Sequence, residues 1–184
     1  MNIVLVGIKH AGKSTIGAAI AAEHNVLFVD SDELIETNYM LRNGGEKLSC
    51  REIFHRVGRE KFRCLESEAI KQLIESTLED DQVRIISVGG GVADNPGVTP
   101  EMLRQLGFVV FINVDIEYAW ERVIANGVPA YLEQESNPAE VFAEMSQKRI
   151  EFYSGNADMQ VDVGGSNIED CIALLEEKLE GYLL

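Results

Sequence analysis

The segment Gly7-Ile8-Lys9-His10-Ala11-Gly12-Lys13-Ser14-Thr15 directly follows a short apolar run at residues 3–6 and satisfies the pattern G-x-x-x-x-G-K-[ST]. Such a loop constrains the fold, because it works only between a strand that delivers it and a helix that leaves it. Its glycines let the backbone turn tightly, so that successive N–H groups point inward at phosphate oxygens, and the helix dipole adds to their field. Lys13 supplies a positive charge for the outer phosphates, and Ser14 offers a hydroxyl to a divalent cation. Gly7, Lys9, His10, Ala11, Gly12, Lys13, Ser14 and Thr15 are therefore candidate nucleotide-binding residues, with ATP and Mg2+ as the expected cofactors. Lys13 is also a candidate catalytic residue.

Apolar runs of strand length recur at residues 3–6, 26–29, 83–88, 108–114 and 159–163. Helix-period segments lie between and after them, at 13–22, 32–41, 50–54, 60–78, 100–106, 117–125, 138–153 and 168–183. The alternation predicts an α/β fold of three layers, a five-stranded parallel sheet flanked by helices. With 184 residues the chain reads as one domain, 1–184. Residues 42–47 and 126–137 have loop character. The second stretch lies between two helices, where a mobile lid fits.

Acidic residues outnumber basic ones 31 to 16, for a net charge of −15. That balance repels phosphate backbones and anionic lipid and argues against nucleic-acid or membrane partners. Cys50, Cys64 and Cys171 are far apart and lack metal-ligand spacing, and the apolar start is too short for a signal-peptide core. The expectation is a reduced, cytoplasmic chain, monomeric because no long heptad or apolar tail is visible.

The second strand runs into Asp30-Ser31-Asp32, two carboxylates at the sheet edge where open α/β folds bind ligands. In an extended chain Ser31 would put both on one side. One would hold the metal, through water, while the other orients an attacking hydroxyl; Ser31 or Asp32 also suits a helix cap. The third strand carries Ser87, a candidate for the metal shell, into Gly89-Gly90-Gly91, whose entropy cost is justified where a ligand approaches bare N–H groups. Basic residues crowd between Arg42 and Arg63 beside this site, either as an anion-binding surface or as a solvated helix face.

Together these features resemble the shikimate kinases. The resemblance spans nearly the whole chain and rests on Gly7–Thr15, Asp30 through Glu36, Ile53-Phe54 through Gly58 to Phe62-Arg63 and Glu66, Ile86 through Gly91, and Lys148-Arg149 followed by Tyr153. It implies a nucleoside-monophosphate-kinase-like fold with a helical substrate-binding region near 31–63 and a lid near 126–137. The implied reaction is ATP-dependent phosphorylation of shikimate to shikimate 3-phosphate. It further implies that Asp32 meets the acceptor's hydroxyls, that Arg63 and Arg149 grip its carboxylate, and that Gly90 and Gly91 line it, with Gly89 a further candidate from the glycine run itself. Asp30, Ser14 and Ser87 would attend the metal, and Arg122 the adenine. Guanidinium forks suit a carboxylate because they stay charged and bond it bidentately.

The chain departs from the family pattern in three places. Where the family has Arg-Pro-Leu-Leu in the lid, this chain has Val128-Pro129-Ala130-Tyr131, and residues 123–147 contain no Lys or Arg. Lys9, at a position usually uncharged in the family, is the candidate substitute. An insertion surrounds Asn43-Gly44-Gly45-Glu46, and Arg59 replaces a commonly acidic residue. Two other readings are a kinase for another small carboxylate-bearing alcohol such as gluconate, and a nucleotide-binding protein with weakened catalysis.

Overall fold

In the computed structural model, which describes residues 1–80, 82–179 and 181–182, five strands form one parallel sheet. They are β1 (Ile3–Val6), β2 (Leu27–Asp30), β3 (Arg84–Ser87), β4 (Phe108–Val114) and β5 (Met159–Gly164), in the order β2-β3-β1-β4-β5. The expected α/β architecture is borne out. β1 is an apolar run, and both it and β3 (Arg-Ile-Ile-Ser) are buried along their whole length because helices cover both faces of the sheet.

Side-chain alternation along β1 divides the interior in two. Ile3 and Leu5 join Ile16, Ile20, Val110 and Ile112 on one face, where α1 (Lys13–Glu23) and α8 (Ile168–Leu179) pack. Val4 and Val6 join Ile70, Leu73, Leu103 and Phe111 on the other, against α4 (Arg59–Glu79) and α5 (Pro100–Leu106). Gly17 lets α1 approach closely, since a Cβ there would come within 2.8 Å of Phe28 and 2.9 Å of Leu5.

A third, smaller core of Ile35, Tyr39, Leu48, Ile53 and Ala69 binds α2 (Ser31–Arg42), α3 (Cys50–Val57) and α4 into a helical subdomain beside the sheet edge. Helix α3 starts with a capping box between Ser49 and Glu52 and runs three residues past its expected end. Gly58, with φ 79°, then turns the chain into α4. The insertion at 43–46 is an exposed turn, with Gly44 and Gly45 at φ 81° and 88°, and it does not line the cleft described below. Arg59 is likewise exposed.

Helix α6 (Ile116–Asn126), the loop with a short 3-10 turn at Ala130–Leu132, and α7 (Pro138–Asn156) complete the chain before β5. The last helix is shorter than expected. Gly181 and Tyr182 form a turn, whereas Glu180 and Leu183 lie outside the described residues. Most consequential for function, β2, β3 and β1 are neighbours, with Asp30 opposite Ser87 and Leu5 opposite Ser87. Their C-terminal ends release the two aspartates, the triple glycine and the phosphate loop side by side.

Candidate active site

These three strand ends floor a cleft of about 800 Å3, roofed by α3, α4, α7 and the 126–137 segment. The phosphate loop folds as its pattern requires. Gly12 adopts φ 89° at the N-terminus of α1, and Gly7 lies so close to Ile112 that a Cβ would reach its carbonyl oxygen at 2.6 Å. Gly7 and Ala11 do not line the cleft; they support the loop, and the Ala11 N–H donates back to Ile8. Lys9, His10, Gly12, Lys13, Ser14 and Thr15 do line it.

Lys13 is buried and donates to the carbonyl oxygens of Gly7 and Ile8 at 3.1 and 3.0 Å. Burial lowers its pKa to about 8, against the raising influence of Asp32 and Asp30. His10 has φ 62°, and burial, with Lys9, Lys13 and Arg122 nearby, lowers its pKa to about 4, which keeps the imidazole neutral. Its Nε2 is buried with no partner among the described residues. Arg122 donates to the His10 carbonyl at 3.2 Å and to the Tyr118 hydroxyl at 2.9 Å, over whose ring it lies.

The aspartates correct one expectation. Ser31 and Asp32 are already helical, so the pair does not share one side of an extended chain. The cap of α2 is Asp30, whose carboxylate accepts from the Asp32 N–H at 2.9 Å. The other Asp30 oxygen accepts from Ser14 Oγ at 2.5 Å, and Ser14 Oγ lies 3.2 Å from Ser87 Oγ. The structure thus brings together the three residues expected around the metal.

The Asp32 carboxylate has no hydrogen-bond partner among the described residues and faces the cleft. Burial first, then the charge of Asp30, raises its pKa from 3.8 to about 6, although Lys9 and Lys13 pull the other way. Cys50, across the cleft, donates its thiol to the Asp32 carbonyl at 3.4 Å, and burial together with Asp32 and Glu36 drives its pKa up.

The triple glycine works in part by packing. A Cβ on Gly89 would lie 2.5 Å from Asp32 Oδ1, one on Gly90 2.9 Å from the Lys9 nitrogen, and one on Gly91 2.7 Å from Arg63 Nη1. The Gly89 N–H is already spent on Ser31 Oγ at 2.9 Å. The N–H groups of Gly90 and Gly91 remain without partners among the described residues.

Arg63 and Arg149 both line the cleft, on the side of Gly91 and Asp94. Arg63 Nη1 donates to Glu66 and to the Gly91 carbonyl, both at 2.7 Å. Arg149, only 3% exposed, donates through Nε and Nη2 to Asp94 at 2.9 and 2.6 Å. The Tyr131 ring lies 5.8 Å from the Arg149 guanidinium, with its hydroxyl buried and unpartnered among the described residues.

Tyr131 belongs to the expected lid, which is folded down. Leu132 is fully buried, and Glu133 pairs with Arg51 and, at 3.2 Å, with His55 on α3. Within the basic segment, Arg51 and Arg63 face the cleft, whereas Arg42 and Arg56 pair with Glu68 and Glu46 at the surface. Sequence reasoning gave no role to Asp94, Tyr131 or Glu133. Each acts through contacts far along the chain, and no local pattern marks them.

Comparison with known proteins agrees with this geometry. A family model described as shikimate kinase matches residues 9–180. The chain is 32% identical to a shikimate kinase of Aromatoleum aromaticum over 182 residues, covering 99% of this chain and 96% of that one. A shikimate kinase from Acinetobacter baumannii, solved in complex with shikimate, superposes with a TM-score of 0.76 at 25% identity, covering 100% of this chain and 95% of that one. One from Bacteroides thetaiotaomicron superposes at 0.73 with 27% identity, covering 98% of each.

Proposed function

Because this chain belongs to the shikimate kinase family and its activity is ATP-dependent phosphorylation of shikimate, we propose a division of labour among its own residues. The observation that carries the assignment is convergence. A phosphate loop, a free carboxylate at Asp32 and the Arg63–Arg149 pair open onto one cleft.

Arg63 and Arg149 hold the acceptor's carboxylate, with the N–H groups of Gly90 and Gly91 beside it. Asp32 accepts the hydrogen bond of the attacking hydroxyl and, with its raised pKa, takes its proton as the bond to phosphorus forms. Lys13 and the loop N–H groups stabilise charge on the transferring phosphoryl group, and Arg122 flanks the nucleotide base. No covalent intermediate is required, since phosphoryl transfer depends mainly on positioning and charge neutralisation.

Ser14 Oγ lies 2.5 Å from the Asp30 carboxylate and 3.2 Å from Ser87 Oγ, and the three present a hard oxygen set that suits Mg2+. When bound there, the ion neutralises charge on the β- and γ-phosphates. The folded 126–137 segment excludes water above the acceptor.

Lys9 supplies the cation that this lid lacks. It lines the cleft without an ion-pair partner among the described residues, and its charge reaches Asp32, His10 and Lys13. The whole chain acts as one domain, since the cleft draws its walls from the phosphate loop to α7, and as a monomer. Among the described residues no helix is long and apolar enough to cross a membrane, and the three cysteines are free, as in a reducing cytoplasm.

The test is a coupled ADP-release assay with ATP and Mg2+, comparing shikimate with gluconate. Turnover that requires shikimate and collapses in Arg63→Ala supports the assignment. Turnover with gluconate alone, or an unimpaired Arg63→Ala, would sink it. An unchanged kcat in Lys9→Ala removes Lys9 from the mechanism.

A further inference from the structure

Two carboxylates already sit on the two guanidinium groups at the acceptor end. Glu66 holds Arg63 Nη1, and a single oxygen of Asp94 accepts from both Nε and Nη2 of Arg149. The same Asp94 oxygen lies 3.6 Å from Arg63 Nη2. Two positive charges are thus matched by two negative ones before an acceptor arrives.

Arg149 is too buried to remain unpaired, so it needs Asp94 or an equivalent acceptor. Asp94 engages two of its three nitrogens and leaves Nη1 free among the described residues. Its position is set by the turn that shapes the acceptor floor. It ends the 3-10 turn Val92–Asp94 immediately after the triple glycine, and its N–H donates to the Gly91 carbonyl at 3.0 Å.

We propose that Asp94 is a positioning residue that sets the affinity of the acceptor site for carboxylates, aligning the Arg149 fork while its own charge opposes the incoming anion. The inference rests on the reading of Arg63 and Arg149 as the carboxylate clamp. The two effects separate by substitution. Asparagine keeps an oxygen for Nε and Nη2 but loses the charge, and alanine loses both. The Asp94 side chain is 29% exposed, so water screens its field and the repulsion is modest.

The test is steady-state kinetics at saturating ATP for the wild type, D94N, D94A and R149K, with shikimate and with its uncharged methyl ester. D94N should lower the KM for shikimate about threefold, leave kcat and the KM for ATP within about twofold, and lose its advantage at high salt. D94A should raise that KM by about tenfold. The KM for the ester should not respond to D94N. The inference is overturned if D94N weakens shikimate as D94A does, leaves it unchanged, or improves the ester equally. R149K separates the two readings. A normal KM for shikimate in R149K refutes the clamp itself, whereas an impaired R149K beside an unimproved D94N refutes the role of Asp94 alone.

Discussion

Replacing Asp32 with asparagine should make this protein more stable while abolishing its activity. The Asp32 carboxyl is raised from 3.8 to about 6 because burial, and then the nearby charge of Asp30, disfavour its ionised form. A folded-state value above the unfolded one means that the native protein holds a proton which the unfolded chain has released. Stability from this group is therefore intact below the ordinary carboxylate range and is lost as pH rises through about 6. At pH 7 the full shift corresponds to about 3 kcal/mol; Asp32 borders cleft solvent, so about half of that is the safer figure. Asparagine removes the charge and should recover about 1.5–3 kcal/mol, or roughly 3–10 °C in Tm for a chain of this size. The advantage should shrink to about a third by pH 4.5, where the native carboxyl is already protonated. Urea or thermal unfolding in the presence of a chelator, at pH 7 and 4.5, reads the difference, and ADP release should fall at least about 100-fold. Asp32→Asn that is less stable than the wild type at pH 7, or equally favoured at both pH values, would refute the reasoning.

Other perturbations follow from contacts already described. Glu133→Gln removes the charge that ties the 126–137 segment to Arg51 and His55, and should raise both the KM for shikimate and shikimate-independent ATP hydrolysis by about three- to tenfold in the coupled assay. Gly17→Ala drives a methyl into Phe28 and Leu5 and should destabilise the fold by about 1–3 kcal/mol in chemical denaturation. Iodoacetamide should label exposed Cys64 well before Cys50, whose thiol burial and nearby carboxylates hold protonated; peptide mapping after a short exposure shows the order.

What could be read from the sequence was what leaves a local mark. Glycine loops at strand ends, a Lys-Ser pair opening a helix and two aspartates where a strand gives way to a helix are each short-range patterns, and the sheet order brings them together. The geometry between the aspartates was not legible, because an extended and a helical Ser31 share the same letters; the hydrogen bond from the Asp32 N–H to Asp30 decides it. Asp94 and Glu133 escaped for a different reason. Their partners Arg149 and Arg51 lie 55 and 82 residues away, and charged residues in loops read as solvated until the fold is built. In the sequence the triple glycine reads as room for a ligand. The structure shows that it is also room for Asp32, Lys9 and Arg63.

The adjacency of β2, β3 and β1 also bears on how the protein comes into being. Asp30 and Ser87 are partners in register, yet they reach the cleft from distant parts of the chain, and both must meet the loop that follows β1. No fragment that folds early through local contacts can hold a nucleotide, because the site exists only after these long loops have closed. ATP should accordingly bind the completed sheet and not the collapsed chain, protecting the whole molecule from proteolysis in proportion to its occupancy.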